Sequence, residues 1–261
     1  MSIHPDSEGV HGKCFGAGGP DMKHEGKRET VVNTDEFYMR RALRLARKGE
    51  RGVSPNPMVG AVIVKGDRIV GEGYHACCGE NHAEINAIER AVEDPAGADF
   101  YVTLEPCCHH GRTPPCVDRL IAVRPARVIV GTTDPNPRVA GRGIAALKAR
   151  GIETRVGVLE AECLALNERF FKFIRTGLPF VTLKFAQTLD GRIATRTGHS
   201  RWISSPPSLR FAHELRSVHD AILVGVGTVI HDDPELTVRR VRGRNPLRVV
   251  LDSTLRLPPT S

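Results

Sequence analysis

The sequence predicts an α/β protein built in layers, and three features predict it. Short apolar runs of strand length alternate with helical stripes from Thr34 to about Thr176. Turn-forming clusters separate these runs, among them Ser54-Pro55-Asn56-Pro57 and Lys65-Gly66-Asp67. The 261 residues are 40% hydrophobic and 26% charged, which supplies a packed core and argues against bulk disorder.

A chain of this length suits one large domain or two ordinary ones. Residues 1–33 are rich in Gly, His, Lys, Asp and Glu, lack a periodic apolar pattern, and are expected to be a disordered extension. A first domain is expected over 34–177. Thr34 is expected to cap a helix with Asp35 and Glu36 in its first turn. Phe37, Met39, Ala42, Leu43 and Ala46 give that helix its stripe as far as Lys48. Strands are expected at 59–64, 68–73, 99–104, 127–131 and 152–158. Helices are expected at 82–92, 115–123, 143–150 and, as one long helix, 160–175. A second pattern fills 178–261, with strands at 180–186, 191–195, 221–226 and 247–252 and a helix at 206–218. Those elements make an incomplete α/β layer.

The net charge is +7, which admits nucleic acid, an anionic membrane or a phosphorylated small ligand as partner. Aromatic content is only 5%, little for stacking bases of single-stranded nucleic acid. No run of eighteen apolar residues is present, and the N-terminus lacks an apolar signal-type segment, so the chain is read as cytoplasmic with no membrane partner. The dense patch Arg239, Arg240, Arg242, Arg244 and Arg248 reads as a solvated surface loop. Seven cysteines include the adjacent pairs Cys77-Cys78 and Cys107-Cys108, a poor pattern for disulfides and a better one for metal in a reducing compartment.

The chemistry concentrates in His82-Ala83-Glu84, Pro106-Cys107 and Cys116. This matches the H-x-E then P-C…C signature of zinc deaminases. One imidazole and two thiolates fill three zinc positions and leave a fourth for water. The metal brings that water's pKa towards neutrality, and Glu84 shuttles its proton to the leaving amine. Thr113 as N-cap and Pro114 at the first helical position would place Cys116 in a first turn, where a thiolate is stabilised. The blander reading is a structural zinc, with Cys108 or His109 as a fourth ligand. Eight residues separate the two cysteines and carry His109, His110 and Arg112, groups suited to an anionic substrate.

Longer stretches carry a family resemblance. They include Asn56-Pro57-x-Val59-Gly60, Gly73-x-His75, Thr103-Leu104-Glu105-Pro106-Cys107, the loop from His109 to Cys116, Asp134-Pro135-Asn136-Pro137, Asn167-Glu168-x-Phe170 and Arg175-Thr176-Gly177-x-Pro179. From about Thr34 to the last residue the chain resembles the bifunctional riboflavin-biosynthesis deaminase/reductases. The resemblance implies a three-layer cytidine-deaminase-like domain with a mixed sheet, followed by a partial dihydrofolate-reductase-like α/β domain. It implies deamination of 2,5-diamino-6-(5-phosphoribosylamino)pyrimidin-4-one, with Zn2+ on His82, Cys107 and Cys116, and Glu84 carrying protons. Asn56, His75, His109 and Arg112 would contact the ring or the ribose phosphate. In the second domain Lys184, Ser200, Arg216, Leu236 and Arg239 would touch substrate. Ala186, Trp202, Thr228, Asp232 and Ser253 would line NADPH. The sequence departs from the family in ending at Ser261, before a glycine-rich pyrophosphate-binding segment, so reductase activity is expected to be absent or impaired. It also carries Cys108 where the family usually has Ser, a competitor for zinc. A homo-oligomer is expected. The rival activity is a zinc-dependent nucleotide or tRNA base deaminase.

Overall fold

The computed structural model describes residues 34–111, 113–200 and 203–260. The extension expected over 1–33 lies outside the described residues. A five-stranded sheet organises the first part. Its strands are β1 (Gly60–Lys65), β2 (Arg68–Tyr74), β3 (Asp99–Leu104), β4 (Arg127–Thr132) and β5 (Glu153–Val156), in the order β2-β1-β3-β4-β5. β1 runs antiparallel to both β2 and β3, while β3, β4 and β5 are mutually parallel. The sheet is therefore mixed.

The apolar runs of β1, β3 and β4 are continuous because both faces of the sheet are buried. Successive side chains go to opposite faces. Ala61, Ile63, Phe100, Val102, Val128 and Val130 share one core with α2 (Ala83–Glu89), α3 (Cys116–Val123) and α4 (Arg142–Ala149). Val62, Val64, Tyr101 and Ile129 share the other with α1 (Thr34–Ala46) and α5 (Glu160–Leu166). Three layers result, helices on each side of one sheet. Each fully buried Ile, Phe or Val contributes about 1.5–3 kcal/mol. Asp35, expected only as an N-terminal acid of α1, is buried, where it accepts from the Tyr101 hydroxyl at 2.9 Å and from Arg155 at 2.6 Å. Those contacts tie α1 to β3 and β5.

Two helices end sooner than their stripes predict. The helix expected over 82–92 stops at Glu89, because the Val92 N–H donates to the Val70 carbonyl at 2.8 Å and leaves Val92 82% exposed. The long helix expected over 160–175 is two, α5 and α6 (Glu168–Thr176), broken at Asn167. Buried Asn167 accepts from the Met58 N–H and donates to the Met58 carbonyl, both at 2.8 Å, and that clamp on the Pro57-Met58 segment takes it out of helical geometry.

Beyond Gly177 the expectations hold less well. Helix α7 (Pro206–Val218) lies where expected, with the Ser205 hydroxyl accepting from the Ser208 N–H at its N-terminus. β6 (Ala221–Gly225) and β7 (Leu247–Leu251) form a parallel pair. Between them lies α8 (Val226–Asp232), a helix where no element was expected, which takes in Val226, the last residue of the strand expected over 221–226. The strands expected at 180–186 and 191–195 are not strands. Thr188 and Arg192 close one tight turn and Thr195 and His199 another, and no ladder partner exists for 180–186 among the described residues. Strand propensity is realised only where a neighbour accepts and donates the backbone hydrogen bonds.

Candidate metal centre and active site

Three element ends converge on one point. His82 occupies the N-cap position of α2 in an extended conformation, which places Glu84 in the first turn of that helix. Cys107 follows the end of β3. Cys116 is the first residue of α3, whose N-cap is Pro115 rather than the expected Thr113. The fixed φ of proline serves there, and the chain enters the helix two residues later than the cap chemistry predicts. Gly73 on β2 lets α2 approach, since a Cβ there would run into the Ala83 carbonyl.

The ligand atoms of His82, Cys107 and Cys116 all lie within 4.8 Å of one another. His82 Nδ1 is 3.2 Å from Cys116 Sγ and 3.5 Å from Cys107 Sγ. Ligand distances of about 2.0–2.3 Å around a tetrahedral zinc put neighbouring donors roughly 3.5–3.8 Å apart. The donor set and its spacing therefore fit zinc. No fourth protein ligand joins this cluster among the described residues. Cys108 turns away, with its Sγ 3.8 Å from the Arg138 carbonyl and its side chain against the core, so the expected competition for the metal is not seen in the geometry. The described cysteines are all free thiols.

The electrostatics follow from the crowding. The hydrogen bonds from Cys116 and His82 hold Cys107 down to about 4 against the cost of burial. The same sulfur contact, with burial and Glu84, pushes Cys116 well up. His82 is raised by its hydrogen bond to Cys107. Glu84 is buried, and burial with the Cys107 charge pushes it up to about 7, where a carboxyl both takes and gives protons.

His82, Glu84 and Cys107 line a cavity of about 350 Å³. Of the residues expected to bind substrate, Asn56, His75 and His109 line it, and Arg112 lies outside the described residues. His75 is buried, and burial lowers its pKa. Its Nδ1 meets the Asn81 carbonyl and its Nε2 meets Asn56 Nδ2, each at 3.1 Å. The neutral ring with the proton on Nδ1 satisfies both contacts. Asp134, Asn136 and Phe170 also line the cavity. Their motifs were visible in the sequence, but nothing in the spacing showed that segments well downstream of the cysteines return to this wall.

The second part is less convergent. Lys184 and Ala186 lie in the irregular segment after Gly177, Thr228 and Asp232 on α8, Ser253 just after β7, and Trp202 outside the described residues. Leu236 is buried and Ser200 half-buried. Arg216 and Arg239 do approach one another: burial and then the charge of Arg239 lower Arg216. Arg239, Arg240 and Arg242 line an open basin of about 550 Å³ with Arg51 and Arg210.

Residues 32–132, which contain every element of the metal cluster, match the cytidine and deoxycytidylate deaminase zinc-binding region, and residues 179–261 match the RibD C-terminal domain. Curated riboflavin biosynthesis proteins RibD align along both parts. That of Aquifex aeolicus is 52% identical over 229 residues, covering 87% of this chain and 64% of its own. That of Escherichia coli is 49% identical over 238 residues, covering 86% of this chain and 65% of its own. Along both of its parts the chain is similar to RibD proteins. It spans just under two thirds of the length of these relatives. The crystal structure of a diaminohydroxyphosphoribosylaminopyrimidine deaminase/5-amino-6-(5-phosphoribosylamino)uracil reductase from Thermotoga maritima superposes with a TM-score of 0.83 at 49% identity, covering 87% of this chain and 66% of that one. Acinetobacter baumannii RibD gives 0.82 at 43%, covering 87% and 65%. The RibD architecture, a cytidine-deaminase-like domain and then a RibD C-terminal domain, is the one expected. These matches do not favour the rival tRNA or nucleotide deaminase. No helix among the described residues is long and apolar enough to cross a membrane.

Proposed function

We propose that the chain deaminates 2,5-diamino-6-(5-phosphoribosylamino)pyrimidin-4-one by hydrolysis, releasing ammonia and the corresponding aminouracil, a step of riboflavin biosynthesis. One observation carries this reading: a buried carboxyl, Glu84, sits two residues from one ligand of a three-donor metal cluster and faces the same cavity. Zinc held by one imidazole and two thiolates acts as a Lewis acid and brings the pKa of water near neutral. Glu84 takes the proton from the attacking water and returns it to the departing amine. Asn56 has given its amide to His75, which leaves its Oδ1 to receive a ring N–H or amine. His109 and Arg112 would hold the ribose phosphate. The Thermotoga maritima protein, named for a deaminase of this substrate class, supports the assignment. For residues 178–261 the RibD C-terminal match supports descent from an NADPH-dependent reductase.

The test is ammonia release from the pyrimidinone ribose phosphate by the purified chain. Turnover is expected, and a zinc chelator should abolish it. Glu84→Gln should lower kcat by about 10²–10⁴ while zinc stays bound. An unchanged rate in Glu84→Gln would remove the proton-shuttle role.

A further inference from the structure

Glu105 is 4% exposed and lies two residues before Cys107, yet it is neither a metal ligand nor in an ion pair among the described residues. Its partners are backbone amides. Oε1 accepts from the Gly143 N–H at 2.9 Å and the Ile144 N–H at 3.2 Å. Oε2 accepts from the Gly141 N–H at 2.9 Å and the Asp134 N–H at 3.2 Å. A carboxylate is an acceptor only, with about four lone-pair sites, so four donors saturate it. Three of the four amides belong to the start of α4, where N–H groups have no partner within the helix. The fourth lies at the opposite end of the same loop. One side chain thus pins both ends of residues 134–144.

That loop forms part of the wall of the deaminase cavity through Asp134, Asn136 and Val139. Its interior is braced by its own contacts, with Asp134 Oδ1 accepting from the Asn136 N–H at 2.8 Å and the Val139 N–H donating to the Asn136 carbonyl at 2.8 Å. These bonds preserve its shape but fix it to nothing. Glu105 attaches both ends, while the weak contact of Cys108 Sγ with the Arg138 carbonyl at 3.8 Å touches the middle. The attachment also reaches the metal turn, because a Cβ on Gly143 would run into the Pro106 carbonyl and stand 3.2 Å from Glu105 Oε1. The start of α4 therefore packs directly on the residue before Cys107.

We propose that Glu105 is a positioning residue of the deamination, holding the 134–144 wall against the Pro106-Cys107 turn so that substrate is seated beside Glu84. The proposal rests on the deaminase reading above. Glutamine at this position keeps the shape but turns an amide towards two N–H donors, which lose their acceptor while still excluded from water. The wall is released, and the metal ligands are left in place.

The experiment compares the whole chain with Glu105→Gln and Gly143→Ala. Kinetics of ammonia release are measured beside zinc content and hydrogen exchange. Each variant is expected to raise KM about tenfold or more with a smaller change in kcat. Zinc should stay at the wild-type level. Exchange should quicken in 133–144 and not in β1 or β3. If Glu105→Gln fails to fold, Gly143→Ala, which keeps the carboxylate, carries the test. An unchanged KM, unchanged exchange in 133–144, or a kcat loss tracking lost zinc would each overturn the proposal. If the unaltered chain releases no ammonia, the deaminase reading fails, and the exchange measurement still decides whether Glu105 anchors this segment.

Discussion

The five-stranded sheet is covered on both faces by helices of its own segment, whereas the parallel pair β6 and β7 leaves Leu223, Leu247 and Leu251 58–69% exposed. The contrast extends to the loops. Glu105 ties down the loop after β4 and Asn167 the segment before β1, and both are buried polar side chains with hydrogen-bond partners. Between Gly177 and Ser205 apolar residues such as Val181, Leu183 and Phe185 stand mostly in solvent. A metal centre needs donors fixed to fractions of an ångström, and only the first region offers element ends held from both sides.

Substitutions that act through cover should separate the two regions. The largest effect is expected for Phe100→Ala, which empties a site at the centre of the sheet and should cost about 3–5 kcal/mol in chemical denaturation. A loss below about 1 kcal/mol would mean that the core re-closes around it. Asn167→Ala should cost roughly 1–3 kcal/mol, because the Met58 amide and carbonyl lose their partners. It should also speed hydrogen exchange at Met58; unchanged exchange would show that α5 and α6 hold this turn without the clamp. Leu223→Ala, on the uncovered strand, should change stability by less than about 1 kcal/mol. A cost near that of Phe100→Ala would show β6 to be covered in solution. The smallest effect is expected at the half-exposed pair Arg41–Glu72 on the first sheet. Glu72→Gln should cost under about 1 kcal/mol near neutral pH. The hydrogen bond from Arg41 holds the Glu72 carboxyl below its ordinary value. Its contribution is therefore present above the ordinary carboxylate range and lost as pH falls through the lowered value, so wild type and variant should converge in acid.

How far each expectation carried depended on the reach of its cause. The strands of the first sheet were legible because apolar runs bounded by turns need no knowledge of distant partners. His82 and Glu84 were legible as one short motif at a helix start. The break at Asn167 was not, since the residue that causes it, Met58, lies 109 positions earlier. Neither was α8, a stretch after the expected strand 221–226 to which the sequence assigned no element. Cys108 read as a rival ligand because adjacent thiols look alike in sequence, and only packing turned one of them to the core.

The sequence by itself determined the layered class, the order along the chain of the first sheet's strands, the grouping of His82, Cys107 and Cys116, and the carboxyl beside them, because each is encoded in periodicity or in a short motif. The tertiary structure decided which face each strand buries, which backbone amides Glu105 and Asn167 bond, that Asp134, Asn136 and Phe170 join the cavity, and that burial pushes the Glu84 carboxyl up. Those outcomes depend on which distant groups exclude water or supply a hydrogen-bond partner, and no local pattern of residues specifies that.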